Sequence, residues 1–241
     1  MSIKAVLFDK DGTLMRYEDF WFPVAEHAVA LIIREFGIEK DNSRLLLDAI
    51  GTYDGKSGIL CYGTYKDMAD AFAETLKNLG ISCDSDKLYQ LTVESFHQSL
   101  RFGKIKSVCS KLPGVLSSLR KNGLILALVT ADDMHGAHQF LNELRITDYF
   151  DEICTFDRIH PSKPNPYYIK MMCQKYNLEP SEIIMVGDTS VDMDFAKNGN
   201  VTAVGVAEKS ADQKYLQQYT KYVLCNVSEI ADFLNKMEWL T

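Results

Sequence analysis

The sequence predicts an α/β protein with a doubly wound, mainly parallel sheet and a Rossmann-like core, interrupted by an all-helical insertion. Short apolar runs alternate with helical periodicity from Leu112 onward, which is typical of βαβ units. An earlier apolar run, residues 6–8, leads into an acidic segment with a glycine, which predicts a buried strand that ends at a tight turn. Residues 17–105 show helical periodicity without a convincing strand. We therefore expect an α/β core of residues 1–16 and 106–241 around a helical domain of residues 17–105.

Composition restricts the partners of this chain. Its 241 residues carry a formal net charge of −7, with 46% hydrophobic and 24% charged residues. This acidic balance gives no overall attraction to nucleic acid or to an anionic membrane surface. We therefore expect neither nucleic acid nor a membrane as a partner, and we expect a monomer or homodimer. No apolar stretch has the length of a signal peptide or a membrane span, so we expect the protein to be cytoplasmic. Six scattered cysteines predict reduced thiols.

The first strand ends in the sequence Asp9-Lys10-Asp11-Gly12. Ligands of open α/β sheets bind at the carboxyl ends of the strands. Two carboxylates crowded at such an end suit a divalent cation or a phosphoryl group, and Mg²⁺ prefers oxygen ligands. The alternative is an ordinary surface turn, since aspartate and glycine are common turn formers.

The helical insertion begins with a predicted N-cap at Asp19 and an apolar stripe that ends at Gly37. Gly51 to Gly63 is rich in glycine and small polar residues, and it reads as a loop. The remaining helices of the insertion are predicted over residues 43–50, 65–79 and 85–100.

The α/β part continues with strands and helices in alternation. Pro113 and Gly114 open the first of these helices, and Asn122-Gly123 ends it. The strands are predicted over residues 124–130, 152–155, 183–188, 201–206 and 222–224. The helices are predicted over residues 113–120, 135–144, 167–176, 190–198, 211–219 and 227–237.

Polar residues follow four of the predicted strands. Besides the first acidic pair they are Thr130, Lys163, and Asp188 with Asp192. Each has an ordinary explanation, since threonine suits strands, loop lysines are solvated and aspartates cap helices. Together they fall at one edge of a parallel sheet, which favours a shared site.

These motifs resemble, in order, those of the haloacid dehalogenase-like hydrolase superfamily. The matching segments are DKDGT (9–13), the strand that ends in Thr130, KPNP (163–166) and GDTSVD (187–192). The glycine-rich segment 51–63 resembles the phosphoglycolate phosphatase-like branch, in which a helical cap domain follows the first motif. Such a cap closes over the substrate and excludes water.

The resemblance implies a role for each motif residue. Asp9 would be the nucleophile that forms an aspartyl-phosphate, and Asp11 the general acid and base. Thr130, the backbone N–H groups beside it such as that of Ala131, and Lys163 would bind the phosphoryl group. Mg²⁺ would be held by the carboxylates of Asp9 and Asp188 and by the backbone carbonyl of Asp11. Asp192 would hold Lys163 or a metal-bound water.

The resemblance favours phosphoryl transfer because family dehalogenases lack the second aspartate, which is Asp11 here. We therefore expect a Mg²⁺-dependent phosphatase of a small phosphorylated metabolite, with phosphoglycolate as the leading single substrate. In the loop of the insertion, Lys56 would meet a substrate anion and Tyr53 would line the pocket, although Lys56 also fits a solvated lysine. The alternatives are a sugar-phosphate phosphomutase and a non-enzymatic phospho-aspartate signalling protein. His160 has no assigned role.

Overall fold

A computed structural model describes residues 2–53, 58–157 and 159–240. The chain divides into two compact units. Met1–Arg16 and Ser107–Thr241 form the first, here called the α/β unit, and Tyr17–Lys106 form the second, called the helical unit. Among the described residues, no helix combines the length and apolar character needed to cross a membrane.

The α/β unit is built on a six-stranded sheet. All neighbouring strands are parallel, and their order is β3-β2-β1-β4-β5-β6. This order confirms the predicted doubly wound fold, and it reverses between β1 and β4, the position at which such sheets bind ligands. The strands are β1 Ala5–Phe8, β2 Ile125–Val129, β3 Glu152–Cys154, β4 Ile183–Gly187, β5 Thr202–Val206 and β6 Val223–Leu224.

The central strands are covered on both faces, which explains why β1 and β4 are continuous apolar runs. Every residue of these two strands is buried. On one face, Leu7 and Met185 share a core cluster with Ile169, Met172 and Phe195 from two of the intervening helices. The helices of this unit are α6 Leu112–Lys121, α7 Met134–Glu143, α8 Tyr167–Tyr176, α9 Ser190–Asn198, α10 Ser210–Leu216 and α11 Ile230–Lys236.

The chain leaves the α/β unit and returns to it at adjacent points. Met15 forms an isolated antiparallel bridge with Ser107, and the backbone N–H of Val108 donates to the carbonyl of Leu14 over 3.1 Å. The two ends of the insertion are therefore held side by side by backbone hydrogen bonds.

The helical unit contains α1 Tyr17–Glu35, α2 Ser43–Ala49, α3 Ile59–Tyr62, α4 Tyr65–Asn78 and α5 Ser85–Ser99. Phe72 and Phe96 are fully buried in it, and Trp21 packs beside Phe96 with ring centroids 6.5 Å apart. Thr64 and Asp67 form a capping box at the start of α4, where the Asp67 carboxylate also accepts from the backbone N–H of Thr64 over 2.7 Å. Reciprocal bonds of this kind satisfy N–H groups that a helix end leaves unpaired.

Two local predictions for the helical unit were wrong. α1 begins at Tyr17, so that Asp19 lies within the first turn instead of capping the helix; an acidic residue there still favours the helix dipole. The segment 51–63, predicted as a loop, contains the short helix α3, whose core contact is the buried Leu60. Residues 54–57, which include Lys56, lie outside the described residues.

Candidate active site

Asp9 occupies the first position after β1, at the point where the strand order reverses. Its backbone N–H donates to the carbonyl of Val186 in β4 over 2.9 Å, which continues the sheet bonding past the end of the strand. Its carboxylate is buried and accepts a hydrogen bond from Nζ of Lys163, with 2.6 Å between Oδ1 and the nitrogen.

Lys163 bridges the carboxylate that follows β1 and a carboxylate in the first turn of α9. Its ammonium lies 2.6 Å from Oδ1 of Asp9 and 2.6 Å from Oδ1 of Asp192, and its side chain is almost completely buried. The loop that carries it is fixed to α9, because the side-chain amide of Asn198 donates to the carbonyl of Pro164 over 2.9 Å. A lysine so anchored is a fixed positive charge rather than a solvated loop residue.

Asp188 and Asp192 arrive from β4 and from the first turn of α9. Thr189 caps α9, and Oδ2 of Asp192 accepts from both the backbone N–H and the hydroxyl of Thr189, over 3.1 and 2.7 Å. Asp192 therefore caps the helix with one oxygen and holds Lys163 with the other. Capping of the helix and contact with Lys163 are two of the three roles considered for Asp192 from the sequence; the third is to hold a metal-bound water.

Gly12 allows the turn after β1 to approach Asp188. Its φ is +84°, a left-handed conformation that favours glycine, and a Cβ atom there would lie 2.0 Å from Oδ2 of Asp188. The neighbouring Thr13 hydroxyl donates to Oδ1 of Asp188 over 3.3 Å. The glycine of the first motif therefore makes room for the carboxylate of the fourth.

The charges in this cluster are unbalanced. Carboxylate oxygens of Asp9, Asp188 and Asp192 lie within 4.8 Å of one another, and all three residues are buried. Burial raises the pKa of the Asp9 carboxyl well above its usual range; Lys163 lowers it, while Asp192, Asp188 and Asp11 raise it further. Burial lowers the pKa of Lys163, but Asp192 and Asp9 together raise it above its ordinary value, so Lys163 is charged.

This donor set fits a divalent cation. Hard cations take carboxylate oxygens as ligands, and the excess negative charge around Asp9 favours one. Asp9 and Asp188, whose carboxylates are predicted metal ligands, belong to this cluster together with Asp192. The predicted ligand from Asp11 is its backbone carbonyl and not its side chain. The carboxylate of Asp11 instead has its Oδ2 3.2 Å from Nζ of Lys10.

Thr130 follows β2 at the same edge of the sheet. β1 and β2 are in register from Ala5 opposite Ile125 to Phe8 opposite Leu128, so Thr130 and Ala131 end beside the first motif. Thr130 is buried, and its backbone N–H donates to the carbonyl of Cys154 over 3.0 Å.

Sequence reasoning overlooked a second buried ion pair at this edge. Nζ of Lys10 lies 2.6 Å from Oδ2 of Asp132, and both side chains are almost completely buried. The signal available in the sequence was a lysine between two aspartates of the first motif together with an acidic residue two positions after Thr130.

Two other residues considered from sequence have local partners. In the helical unit, the Tyr53 hydroxyl donates to Oε1 of Glu26 over 2.6 Å, and the Arg44 guanidinium lies 4.4 Å from the centre of the Tyr53 ring. In the α/β unit, Nδ1 of His160 lies 2.7 Å from Oδ2 of Asp157, and the imidazole ring stacks on Tyr167 with centroids 4.6 Å apart.

Known proteins share both this sequence pattern and this fold. A pyrophosphatase PpaX of Oceanobacillus iheyensis is 23% identical over 231 residues, covering 95% of this chain and 96% of that protein. A phosphoglycolate phosphatase of Vibrio vulnificus is 30% identical over 206 residues, covering 85% and 84%. The crystal structure of a predicted phosphoglycolate phosphatase from Haemophilus somnus superposes with a TM-score of 0.73 at 17% identity, covering 96% of this chain and 97% of that one.

The structure defines an α/β protein with a doubly wound sheet and a buried cluster of carboxylates and a lysine at its switch point, the position at which such sheets bind ligands. The family model of the haloacid dehalogenase-like hydrolases matches residues 3–200, and the chain belongs to this family. The resemblance seen in the four motifs is thereby confirmed, and the protein is a hydrolase.

Proposed function

We propose that this protein is a Mg²⁺-dependent phosphatase that hydrolyses a small phosphomonoester through an aspartyl-phosphate on Asp9. The contact that carries the proposal is that of Lys163 with both Asp9 and Asp192, beside Asp188, in one buried cluster. A nucleophilic carboxylate must be held close to the dianionic group that it attacks, and a fixed ammonium reduces the repulsion between them.

In the first step, an oxygen of the Asp9 carboxylate attacks phosphorus and the bond from phosphorus to the ester oxygen breaks. Asp11 donates a proton to that oxygen, so that the leaving group departs as a neutral alcohol. Lys163, Thr130 and the backbone N–H of Ala131 bind the phosphoryl oxygens, on which negative charge increases in the transition state.

In the second step, Asp11 removes a proton from a water molecule, whose oxygen attacks the phosphorus of the aspartyl-phosphate. The bond between phosphorus and the Asp9 oxygen breaks, which releases inorganic phosphate and restores the carboxylate. Asp9, Asp188 and the backbone carbonyl of Asp11 would hold Mg²⁺, which when bound neutralises charge on the phosphoryl oxygens.

We also propose that the helical unit acts as the cap domain that selects the substrate, with Lys56 contacting a second anionic group. Phosphoglycolate is the leading candidate, because a relative at 30% identity bears the name phosphoglycolate phosphatase. Pyrophosphate is a necessary competitor in any panel, because another relative over nearly the full length is named a pyrophosphatase.

The test is phosphate release from phosphoglycolate, pyrophosphate, sugar phosphates and nucleoside monophosphates, each with Mg²⁺ and with EDTA. Asp9→Asn keeps the size of the side chain and removes the nucleophile, so we expect release to fall by at least about 10³-fold. Asp70→Asn is the matched control, because Asp70 is an exposed helical residue that pairs with Lys66.

Turnover retained in Asp9→Asn would contradict the assignment of the nucleophile. A phosphorylated wild-type protein that accumulates without releasing phosphate would favour the phosphomutase or the signalling alternative. Release that is equal with Mg²⁺ and with EDTA would contradict the metal requirement.

A further inference from the structure

Lys10 is a completely buried lysine that the proposed reaction does not use. It lies between the two aspartates of the first motif, directly after β1, and its side chain is 1% exposed. Its ammonium contacts Oδ2 of Asp132 at 2.6 Å and Oδ2 of Asp11 at 3.2 Å, and lies 6.0 Å from the centre of the Phe140 ring. The Lys10 ammonium therefore connects Asp11, the proposed general acid and base, to the carboxylate of Asp132 after the neighbouring strand.

Asp132 is itself held firmly by the chain around it. Its Oδ1 accepts from the backbone N–H of Asp133 over 2.8 Å, and its own backbone N–H donates to the hydroxyl of Thr130 over 3.1 Å. A Cβ atom on Gly136 would lie 2.2 Å from Oδ2 of Asp132, so α7 leaves space for this carboxylate. Asp132 is a fixed anchor that also contacts the phosphate-binding threonine.

Stability alone is a weak reason for this arrangement. Taking a lysine and an aspartate out of water is costly, and replacing a buried ion pair with apolar residues is often neutral or stabilising. Burial lowers the pKa of Lys10, but Asp11 and Asp132 raise it above its ordinary value, so the ammonium stays charged. A charged lysine fixed at one end by Asp132 restricts the rotation of the Asp11 carboxylate that it also contacts.

We propose that Lys10, anchored by Asp132, is a positioning residue that orients the carboxylate of Asp11 for proton transfer to the leaving group. This assignment rests on the proposed function, in which Asp11 is the general acid. A positioned acid accelerates the departure of a basic alkoxide much more than that of a weakly basic phenolate, which leaves without a proton. The dependence of the rate on the leaving group therefore distinguishes positioning from a purely structural role.

The decisive variants are Lys10→Met, Asp132→Leu and the double variant Lys10→Met/Asp132→Leu. Lys10→Met leaves the buried Asp132 carboxylate without this cation, and Asp132→Leu leaves Lys10 without its closest carboxylate, so each single variant should lower Tm. The double variant removes both buried charges and should recover the wild-type Tm or exceed it. The recovered double variant then tests the position of Asp11 without the complication of a damaged fold.

The measurement is kcat/KM for two esters. One is the alkyl phosphate of the panel that is hydrolysed best, and the other is p-nitrophenyl phosphate. kcat/KM reports the steps up to leaving-group departure and excludes the later hydrolysis of the aspartyl-phosphate. In the double variant we expect about a 100-fold loss for the alkyl ester, the lower end of what a positioned acid contributes, and a loss of no more than about threefold for the aryl ester.

Two further variants serve as controls. Asp132→Asn keeps a side-chain oxygen that can accept from Lys10, so it should retain most of the wild-type preference between the esters. Asp151→Ala removes the partner of the half-exposed Arg120 and an acceptor of the Leu126 N–H. It should lower Tm and leave the ratio of the two kcat/KM values unchanged.

Equal losses for the two esters in the double variant, or a wild-type ratio, would overturn the proposal. Crystal structures of the wild type and the double variant provide a readout that needs no activity. We expect the Asp11 carboxylate to rotate away from its wild-type position or to occupy several positions, and an unchanged position would also overturn the proposal. A wild type without phosphatase activity would contradict the proposed function, while the crystallographic comparison would still decide the positioning role.

Discussion

The two units of this protein differ in what they bury. Among its described residues, the α/β unit buries the charged side chains of Asp9, Lys10, Asp132, Lys163, Asp188 and Asp192. Over its described residues, 17–53 and 58–106, the helical unit buries no charged side chain. Its buried polar groups are hydroxyls, and two of these bond to carbonyls of their own helix, Thr92 to Leu88 over 2.8 Å and Ser99 to Ser95 over 2.6 Å.

Buried hydroxyls and buried charges differ in how much they cost in folding free energy, and this difference indicates where the functional residues lie. A buried hydroxyl can bond to a carbonyl of its own helix, as those of Thr92 and Ser99 do, whereas a buried charge costs several kcal/mol unless a partner compensates for it. A chain that keeps such a group of charges at one edge of a sheet is carrying a stability cost that the fold does not require. Changes in the α/β cluster should therefore alter activity, and changes in the interior and caps of the helical unit should alter stability alone.

Gly12→Ala should lower activity much more than Gly123→Ala does. Both glycines have positive φ, +84° and +76°, so both substitutions should cost roughly 1 kcal/mol or more of folding free energy. Only at position 12 would the new Cβ meet Asp188, because position 123 has no atom within 4 Å. We expect kcat/KM to fall about 100-fold or more in Gly12→Ala, as for an ångström-scale misplacement, and to stay near wild type in Gly123→Ala.

Steady-state kinetics beside thermal melts of the two variants would settle this prediction. Equal activities would show that the close approach of Gly12 to Asp188 has no catalytic consequence, and the buried charged cluster of the α/β unit would lose its expected link to activity.

A smaller effect is expected for Asp9→Asn in the absence of metal, where this substitution should stabilise the fold instead of destabilising it. Because burial and neighbouring carboxylates raise the pKa of Asp9, the folded state binds its proton more tightly than the unfolded state. The contribution of Asp9 to stability therefore falls as the pH rises from its ordinary pKa of 3.8 through the raised folded value. At pH 7 with EDTA, the neutral asparagine should raise the free energy of unfolding by about 1 kcal/mol or more, which is about 2–4 °C in Tm for a chain of this size.

This gain should shrink as the pH is lowered toward 3.8, because below that value Asp9 is protonated in both the folded and the unfolded state. Saturating Mg²⁺ should raise the Tm of the wild type more than that of the variant, because ligand binding to the folded state adds stability. Thermal melts over pH 4–8, with Asp70→Asn as the control, measure both effects. A variant less stable than wild type at every pH would show that the Lys163 contact outweighs the repulsion among the carboxylates.

Thr64→Ala in the helical unit should change the free energy of unfolding by a similar amount, but as a loss, and it should not change the chemistry. It removes the N-cap of α4 and should cost about 1 kcal/mol, which amide hydrogen exchange over Tyr65–Asn78 would detect as faster exchange. The kcat of the folded enzyme should not change. A lower kcat would mean that the helical unit takes part in the chemistry, which would remove the distinction between the two units.

The fold was predictable because its signals are local. Continuous apolar runs mark the central strands, and the carboxyl ends of parallel strands share an edge, so Asp9, Thr130 and Asp188 were expected together there. The pairing of Lys10 with Asp132 joins residues 122 positions apart, and no local pattern specifies it. The short helix α3 was missed for a related reason, because it is a single turn among glycines whose buried Leu60 depends on tertiary packing.

The bridge between Met15 and Ser107, with the Val108 to Leu14 hydrogen bond, has an evolutionary consequence. Since the α/β unit closes this junction itself, the entropy of joining its ends depends only weakly on how many residues lie between them. Recombination can therefore add, remove or exchange the segment between Met15 and Ser107 while the encoded sheet still folds. We expect related proteins to share the sheet and to differ most in the inserted segment.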